Sequence, residues 1–299
     1  MIDKLEMLLA LAREQHFGRA AEACGVTQPT LSAGLKQLEE SFGVLLVQRQ
    51  SRFIGLTPEG LRVLDWARRI VSDYRAMRDE IRALKRGLAG HLRIASVPTA
   101  LPVVSALTTP LHITHPEVMF TILSRTSVEI LTLLENLEIE AGLTYIDNEP
   151  LGRARAIPLY HEHYRLVIAA DRKLGDRESV TWAEVAQIPL CLLTPDMQNR
   201  RIIDRKLRAG GTATGPTLQS NSMVVLFAHV RTGQWASVMP AVLAETMGLP
   251  DPIRAIPIHE DTKPPTIGLV YPQREPLTPL TTALVTEARR IGPAWLATP

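Results

Sequence analysis

The stretch Thr27-Gln28-Pro29-Thr30-Leu31-Ser32 gathers short hydroxyl and amide side chains where a helix begins. Small donors and acceptors beside the free N–H groups of a first turn suit contact with base edges and phosphates. A basic tip follows further on, Arg49-Gln50-Ser51-Arg52, and its two cations would add phosphate contacts. His161-Glu162-His163 invites a metal, since histidines two apart share one face of a strand. A third ligand is not evident, and a polar strand edge explains the pattern without an ion. Cys24 and Cys191 are far apart and lack CxxC spacing, so neither a disulfide framework nor a zinc site follows. One thiol falls in the front segment and the other far behind it, which argues against a switching disulfide between them. No glycine-rich phosphate loop, Ser-His-Asp order or carboxylate pair stands out, so catalysis, a cofactor and a bound metal are not expected.

These residues need elements to hold them. Leu5, Leu8, Leu9 and Ala12 recur at helical spacing, and a short alanine-rich helix runs from Gly18 to Cys24. Gly25 suits a helix stop, and Thr27 with Pro29 suits the cap and first turn of the next helix. Leu31, Leu35, Leu38 and Phe42 then form one apolar stripe ending at Gly43. Two short helices joined by a tight turn, the second presenting polar residues at its start, match a helix-turn-helix. Two ordinary packed helices are the plain alternative. Residues 44–57 read as a two-stranded wing closed by Thr57-Pro58-Glu59-Gly60. A long helix follows, with Leu64, Ala67, Val71, Tyr74, Met77, Ile81 and Leu84 as a seam. Its length of about 36 Å exceeds what a small domain can cover, so the seam is expected to meet another helix. Lys85 to Gly90 reads as a hinge.

From residue 91 onward, strands at 92–97, 118–123, 141–144, 164–169, 190–193, 235–239 and 267–270 alternate with helical stretches. That rhythm implies largely parallel sheets flanked by helices, and the length suits two α/β subdomains. The 299 residues are 45% hydrophobic and 21% charged, an ordinary folded composition. No apolar run is long enough for a membrane helix, and the charged N-terminus has no cleavage site, so a cytoplasmic chain is expected. Residues 1–90 carry 14 Lys+Arg against 11 Asp+Glu, but residues 13–60 carry five of each sign. Binding of nucleic acid would therefore rest on the placement of a few groups and not on a general field.

At this point the chain resembles the LysR-type transcriptional regulators. Ala20-Ala21-Glu22, Thr27-Gln28-Pro29-Thr30-Leu31-Ser32, Leu35-Lys36-Gln37-Leu38-Glu39, Gly43, Leu46, Arg49 and Leu56-Thr57-Pro58-Glu59-Gly60 carry the resemblance. It is dense over residues 3–60; behind them it rests on architecture and on scattered matches such as Val238-Met239-Pro240. It implies an α/β chain of three parts: a winged helix-turn-helix over 1–60, a dimerising linker helix and hinge over 61–90, and a regulatory domain over 91–299. That domain would resemble two-lobed periplasmic binding proteins, with lobe I near 91–163 and 267–299 and lobe II near 164–266. The resemblance further implies a double-stranded DNA operator, a small effector, homodimers through the linker helix and homotetramers, and leaves RNA polymerase open as a partner. Thr27, Gln28, Pro29, Thr30, Ser32, Lys36, Arg49 and Arg52 match the DNA-facing positions. Two departures stand out: Ala33 and Gly34 replace an arginine that reads a base in many relatives, and Val47 replaces a usual phenylalanine. The first shifts weight from direct base contacts to shape and backbone contacts.

Folds of this kind bind ligands at strand C-terminal ends, between lobes. Ser96 and Thr99 follow the first strand, and Ser124, Thr126 and Ser127 the second. Thr194 would face them from the other lobe. Hydroxyls beside helix N–H groups suit a small anion, although any one of them can be simply a helix cap. Arg125 and Arg200 could add charge. A solute-binding receptor without DNA function is the competing reading, and it leaves residues 1–60 without a use. Arg52→Ala is expected to weaken operator binding and to lower the slope of log K against log salt by about 1. Anisotropy titrations over a salt series measure that slope, and an unchanged one places the wing tip off the DNA.

Overall fold

The computed structural model describes residues 1–49, 53–147, 149–211, 215–260 and 262–297. Arg52 lies outside them. Contacts divide the chain into two compact units: Met1–Leu88 with Glu135–Glu138 and Arg274–Pro279, and the remainder.

In the first unit, α1 (Ile2–Glu14), α2 (Phe17–Ala23) and α3 (Gln28–Phe42) precede a hairpin of β1 (Val47–Arg49) and β2 (Phe53–Leu56) and the long α4 (Pro58–Arg86). The local chemistry sets the boundaries. The His16 ring nitrogen Nδ1 accepts from the N–H groups of Gly18 and Arg19 and so caps α2. Thr27 caps α3 through the Thr30 N–H, and Gly43 ends it with φ 69°. Leu8, Leu11, Leu31, Leu35 and Leu38 are fully buried together, each stabilising the unit by roughly 1.5–3 kcal/mol. Gly34 is buried as well, and a Cβ there would meet the Met7 sulfur at 2.5 Å. It lets α3 lie close on α1.

Two stripe expectations change. Phe42 is solvent-exposed; the apolar face of α3 ends at Leu38, and Glu39 takes the next inward position. Buried Glu39 accepts from the N–H groups of Leu46 and Val47, at 3.0 and 3.2 Å. On α4, Leu64, Ala67 and Val71 turn inward to the core with α1. Trp66, Ile70, Met77, Ile81 and Leu84 remain exposed on the helix. The single seam read from the sequence is thus two faces, one spent inside the unit.

The second unit begins with β3 (Gly90–Ser96), a 3-10 helix (Pro98–Val103), α5 (Val104–Thr114), β4 (Val118–Ser124), α6 (Ser127–Glu135), β5 (Ala141–Tyr145) and β6 (Ala154–His161). The chain then crosses to β7 (Tyr164–Ala169), α7 (Trp182–Val185), β8 (Cys191–Leu193), α8 (Gln198–Ala209), β9 (Leu218–Ser220), α9 (Met223–Val230), β10 (Ser237–Pro240), α10 (Ala241–Met247) and β11 (Ile253–Pro257). It returns to β12 (Thr266–Pro272) and ends with α11 (Pro279–Leu296). Lobe I holds the five-stranded sheet β4-β3-β5-β12-β6; lobe II holds the three-stranded sheet β10-β7-β11 and the pair β8-β9.

Largely parallel sheets were expected, and the pairing corrects this. Among the described residues the parallel strand pairs are β3 with β4 and β5, and β8 with β9, besides single parallel bridges at Val180–Ile258 and Leu190–Ala236. The returning β12 is antiparallel to β5 and β6, and β7 is antiparallel to both its neighbours. A chain that leaves one sheet and re-enters it from the far side must run backwards there. The sequence reading also passed over β6, whose Pro158 argues against a central strand. It is an edge strand, and the register shift beside Gly268 accommodates the proline.

Leu46 fixes the first unit. Its N–H is held by Glu39, its carbonyl accepts from the Thr57 N–H at 3.0 Å, and Thr57 Oγ1 donates to the Leu45 carbonyl at 2.7 Å. A Cβ on Gly60 would lie 2.0 Å from the Leu46 carbonyl oxygen, a backbone atom that cannot swing aside. Gly60→Ala is therefore expected to destabilise the unit by about 1–3 kcal/mol. Urea unfolding of residues 1–88 with and without the substitution measures it, and equal midpoints would mean that the contact is slack.

Candidate nucleic-acid interface and effector cleft

The exposed face of α3 carries Gln28, Pro29, Thr30, Ala33, Lys36, Gln37 and Glu40, with Ser32 half-buried at its edge. Thr27 is exposed, but its hydroxyl is engaged, meeting Thr30 Oγ1 at 2.8 Å. Lys36 approaches Glu40 at 3.8 Å, both side chains well exposed; such a pair holds loosely and leaves the ammonium free for a phosphate. Of the two residues standing where many relatives carry a base-reading arginine, only Ala33 faces outward. Gly34 belongs to the α1 contact, so the loss of a base-reading side chain falls on position 33 alone. Gln37, one turn beyond Ala33, is an exposed amide the motif reading did not single out. Arg49 ends β1.

Within the second unit, a cavity of about 830 Å³ opens between the lobes. Its lobe I wall comes from Pro98, Leu101 and Pro102 after β3, from Ser124, Arg125 and Thr126 after β4, and from Glu129 on α6. The lobe II wall comes from Asp196 and Met197 before α8, residues 221–224 at the start of α9, and Leu243 and Met247 on α10. Every loop but the last lies beyond the C-terminal end of a parallel strand, where successive connections diverge and leave room.

The starts of three helices meet this space, and they differ. At α6 the Thr126 hydroxyl accepts from the Glu129 N–H at 3.2 Å, while the Glu129 carboxylate accepts from the Thr126 N–H at 2.8 Å. That reciprocal cap leaves little for a ligand. At α8 and α9 the flanking residues Met197 and Ser222 make no side-chain cap, and the first-turn N–H groups lack that partner. The Gln198 amide is buried with neither oxygen nor nitrogen hydrogen-bonded, and Thr194 Oγ1 is likewise buried without a partner. Arg125 donates to the Ser124 carbonyl at 2.7 Å and is the cation of the lining.

Of the hydroxyls expected at an effector, Ser124 and Thr126 line the cavity. Ser96, Thr99, Ser127 and Thr194 are not among its lining residues. Ser96 donates to the Val97 carbonyl, and the Ser127 hydroxyl is enclosed without a partner. Thr99 sits in the 3-10 helix with its hydroxyl turned inward, 3.2 Å from the Tyr145 hydroxyl. Arg200 is also spent: it is buried, paired with Asp204 at 2.7 Å and donating to the Leu193 carbonyl and Gln219.

At His161-Glu162-His163 the side chains part, and among the described residues no three His, Cys, Asp or Glu side chains gather for an ion. His161 Nδ1 lies 3.3 Å from Thr266 Oγ1. Glu162 is buried instead, and its Oε1 accepts from the hydroxyls of Tyr145 and Tyr164, at 2.6 and 2.9 Å, and from Asn199 at 3.4 Å. Burial pushes the Cys191 thiol up to about 11, and burial also raises Cys24.

Residues 2–61 match the family described as bacterial regulatory helix-turn-helix protein, lysR family, and residues 85–292 match the LysR substrate binding domain. The DNA-binding transcriptional dual regulator OxyR of Escherichia coli K12 is 28% identical over 277 residues, covering 92% of this chain and 90% of its own. The hydrogen peroxide-inducible genes activator of Pectobacterium carotovorum is 27% identical, with 92% and 91% covered. A full-length OxyR variant from Pseudomonas aeruginosa superposes with a TM-score of 0.74 at 25% identity, covering 97% of both chains. CbnR, a LysR family transcriptional regulator, shares the fold with a TM-score of 0.62 at 20% identity over 98% and 99% of the two chains. With both matched regions following one another along the chain, this protein belongs to the LysR family: a DNA-binding transcriptional regulator with an effector-binding domain.

Proposed function

We propose that the effector is a small singly charged acid with an apolar body, and that its binding in the cleft changes how the protein holds its operator. The supporting observation is the contrast between helix starts: α6 is capped from within, whereas α8 and α9 offer uncapped N–H groups to the cavity that Arg125 also lines. An anion at those starts gains both hydrogen bonds and the favourable end of the helix dipoles. Met197, Met223, Leu243, Met247 and Leu101 give the rest of the cavity an apolar surface that suits a hydrocarbon portion. Glu129 in one wall and Asp196 in the other oppose a second negative charge.

On the DNA side, Gln28, Pro29, Thr30, Ser32 and Lys36 are proposed to meet the major groove, with Arg49 and Arg52 on the wing. Ala33 supplies no long donor, so groove shape and backbone carry more of the selection. The exposed α4 stripe of Trp66, Ile70, Met77, Ile81 and Leu84 is proposed to pair two chains, as the first step to a tetramer.

Peroxide sensing is the second reading, suggested by the relatives' names. The cysteines weigh against it: a nucleophilic thiol needs its thiolate form, and Cys191 is buried with its thiol held up to about 11. Cys24→Ser with Cys191→Ser is expected to leave operator binding and its response to effector unchanged; anisotropy titrations before and after peroxide decide, and a peroxide response lost in the double variant would favour oxidation chemistry.

Calorimetry with a panel of aliphatic and aromatic monocarboxylates tests the effector class. Arg125→Ala should weaken the best binder by about 1.5–3 kcal/mol, the worth of a hydrogen bond to a charged group. Unchanged affinity, or a preference for cations, would move the site elsewhere.

A further inference from the structure

The chain passes between the lobes at Glu162-His163 and again between β11 and β12, and the Glu162 N–H donates to the Pro265 carbonyl at 2.8 Å, tying the two crossings together. The Glu162 side chain is 1% exposed and reaches partners on both sides. Tyr145, on β5, belongs to lobe I; Tyr164, on β7, and Asn199, on α8, belong to lobe II. Asn199 also donates to the Tyr145 hydroxyl at 3.2 Å, and Thr99 adds a lobe I contact to the same hydroxyl. The second carboxyl oxygen, Oε2, is enclosed without any hydrogen-bond partner.

We infer that Glu162 is a proton-linked latch: the present arrangement of the lobes holds its carboxyl protonated, and separation of the lobes hydrates the group and releases the proton.

A carboxylate stripped of water needs a cation or several donors, and a protonated carboxyl needs far less. The donors here are two hydroxyls and one amide, all on the same oxygen, while the other oxygen faces nothing polar. Burial raises the Glu162 carboxyl to about 7 from an ordinary 4.5, with the bonds from Tyr145, Tyr164, Asn199 and Thr99 pulling the other way. Tyr145, Tyr160 and Tyr164, the titratable groups facing it from β5, β6 and β7, are themselves pushed well above their ordinary value by burial first and then by Glu162, so they stay neutral. His161 is occupied by Thr266, and burial lowers His163, whose charged neighbours include Glu260, Arg165 and Lys206. The sign follows: a group raised in one state favours that state when protonated, so acid favours this arrangement, and the preference is lost as pH rises from about 4.5 to about 7. Rotation of one lobe against the other must break either the Tyr145 bond or those of Tyr164 and Asn199, because they come from different lobes. Thr99 follows Pro98, and Asn199 lies two residues after Met197, both in the cleft wall. A ligand pressing on that wall and a proton on Glu162 therefore act on the same movement.

The test needs no effector, so its result bears on the latch alone. Paired labels at Glu117→Cys and Arg231→Cys, one exposed site in each lobe, report the interlobe distance of the full-length chain in a Cys24→Ser background. The wild-type distance is expected to change as pH rises from about 4.5 to about 7, the window between the hydrated and the enclosed carboxyl. Glu162→Gln should hold the low-pH distance throughout. Tyr164→Phe removes a bond that only this arrangement of the lobes offers, and the ionised carboxyl loses more by it, so separation should be reached at lower pH and the midpoint should move down. A wild-type distance that does not vary with pH, or a transition that persists in Glu162→Gln, overturns the latch. Should Glu162→Gln fail to fold, Tyr164→Phe decides alone, and an unmoved or raised midpoint there is equally contrary.

Discussion

Two strands of backbone join the lobes, and the hydrogen bond from Glu162 to Pro265 makes them one hinge. The cleft exists only because both walls grow from strands anchored on either side of it. Tyr145 closes the lobe I sheet behind the cavity, and Tyr164 opens the lobe II sheet. The carboxyl between them excludes water without a compensating cation. Such a polar knot specifies one relative placement of two lobes far more sharply than apolar packing would, because any slip leaves a buried hydroxyl or carboxyl unpaired.

The DNA-binding unit depends on an analogous device. Glu39 turns inward from the helix that otherwise carries the groove-facing residues, and it holds the two N–H groups that start the wing. Thr57 and Gly60 then seat α4 against the same peptide. Helix, wing and linker helix are thereby fixed at Leu46 in one orientation. This preorganisation matters where the net charge is nearly balanced, since the field of the unit does little and the placement of each contact does more.

Much of this was legible in the sequence because the deciding signals are local. Thr27, Pro29 and Gly43 mark the limits of α3 within a turn of their position, and the alternation of strands and helices follows from short periodic runs. What stayed hidden depends on distant partners. Glu162 between two histidines has the polar pattern of an exposed edge; its burial is set by Tyr145 and Asn199, neither near it in the chain. The α4 stripe mixed an inward face with an outward one because both repeat at helical spacing, and only the position of α1 separates Leu64, Ala67 and Val71 from Met77, Ile81 and Leu84. Thr99 has the type and place of a ligand-binding hydroxyl, yet the Tyr145 hydroxyl draws it inside. The antiparallel pairing of β12 follows from the chain's second crossing, which no periodicity records.

The effector cleft and the α3 face serve one purpose only if ligand and DNA are linked. The direct measurement is the affinity of the full-length chain for the duplex upstream of its own gene, followed by anisotropy with and without a cleft-binding monocarboxylate. The expected result is preference for that duplex over a scrambled one, together with a shift in affinity on adding the acid that is lost in Arg125→Ala. Equal binding to both duplexes, or an affinity indifferent to a ligand shown to occupy the cleft, would contradict it.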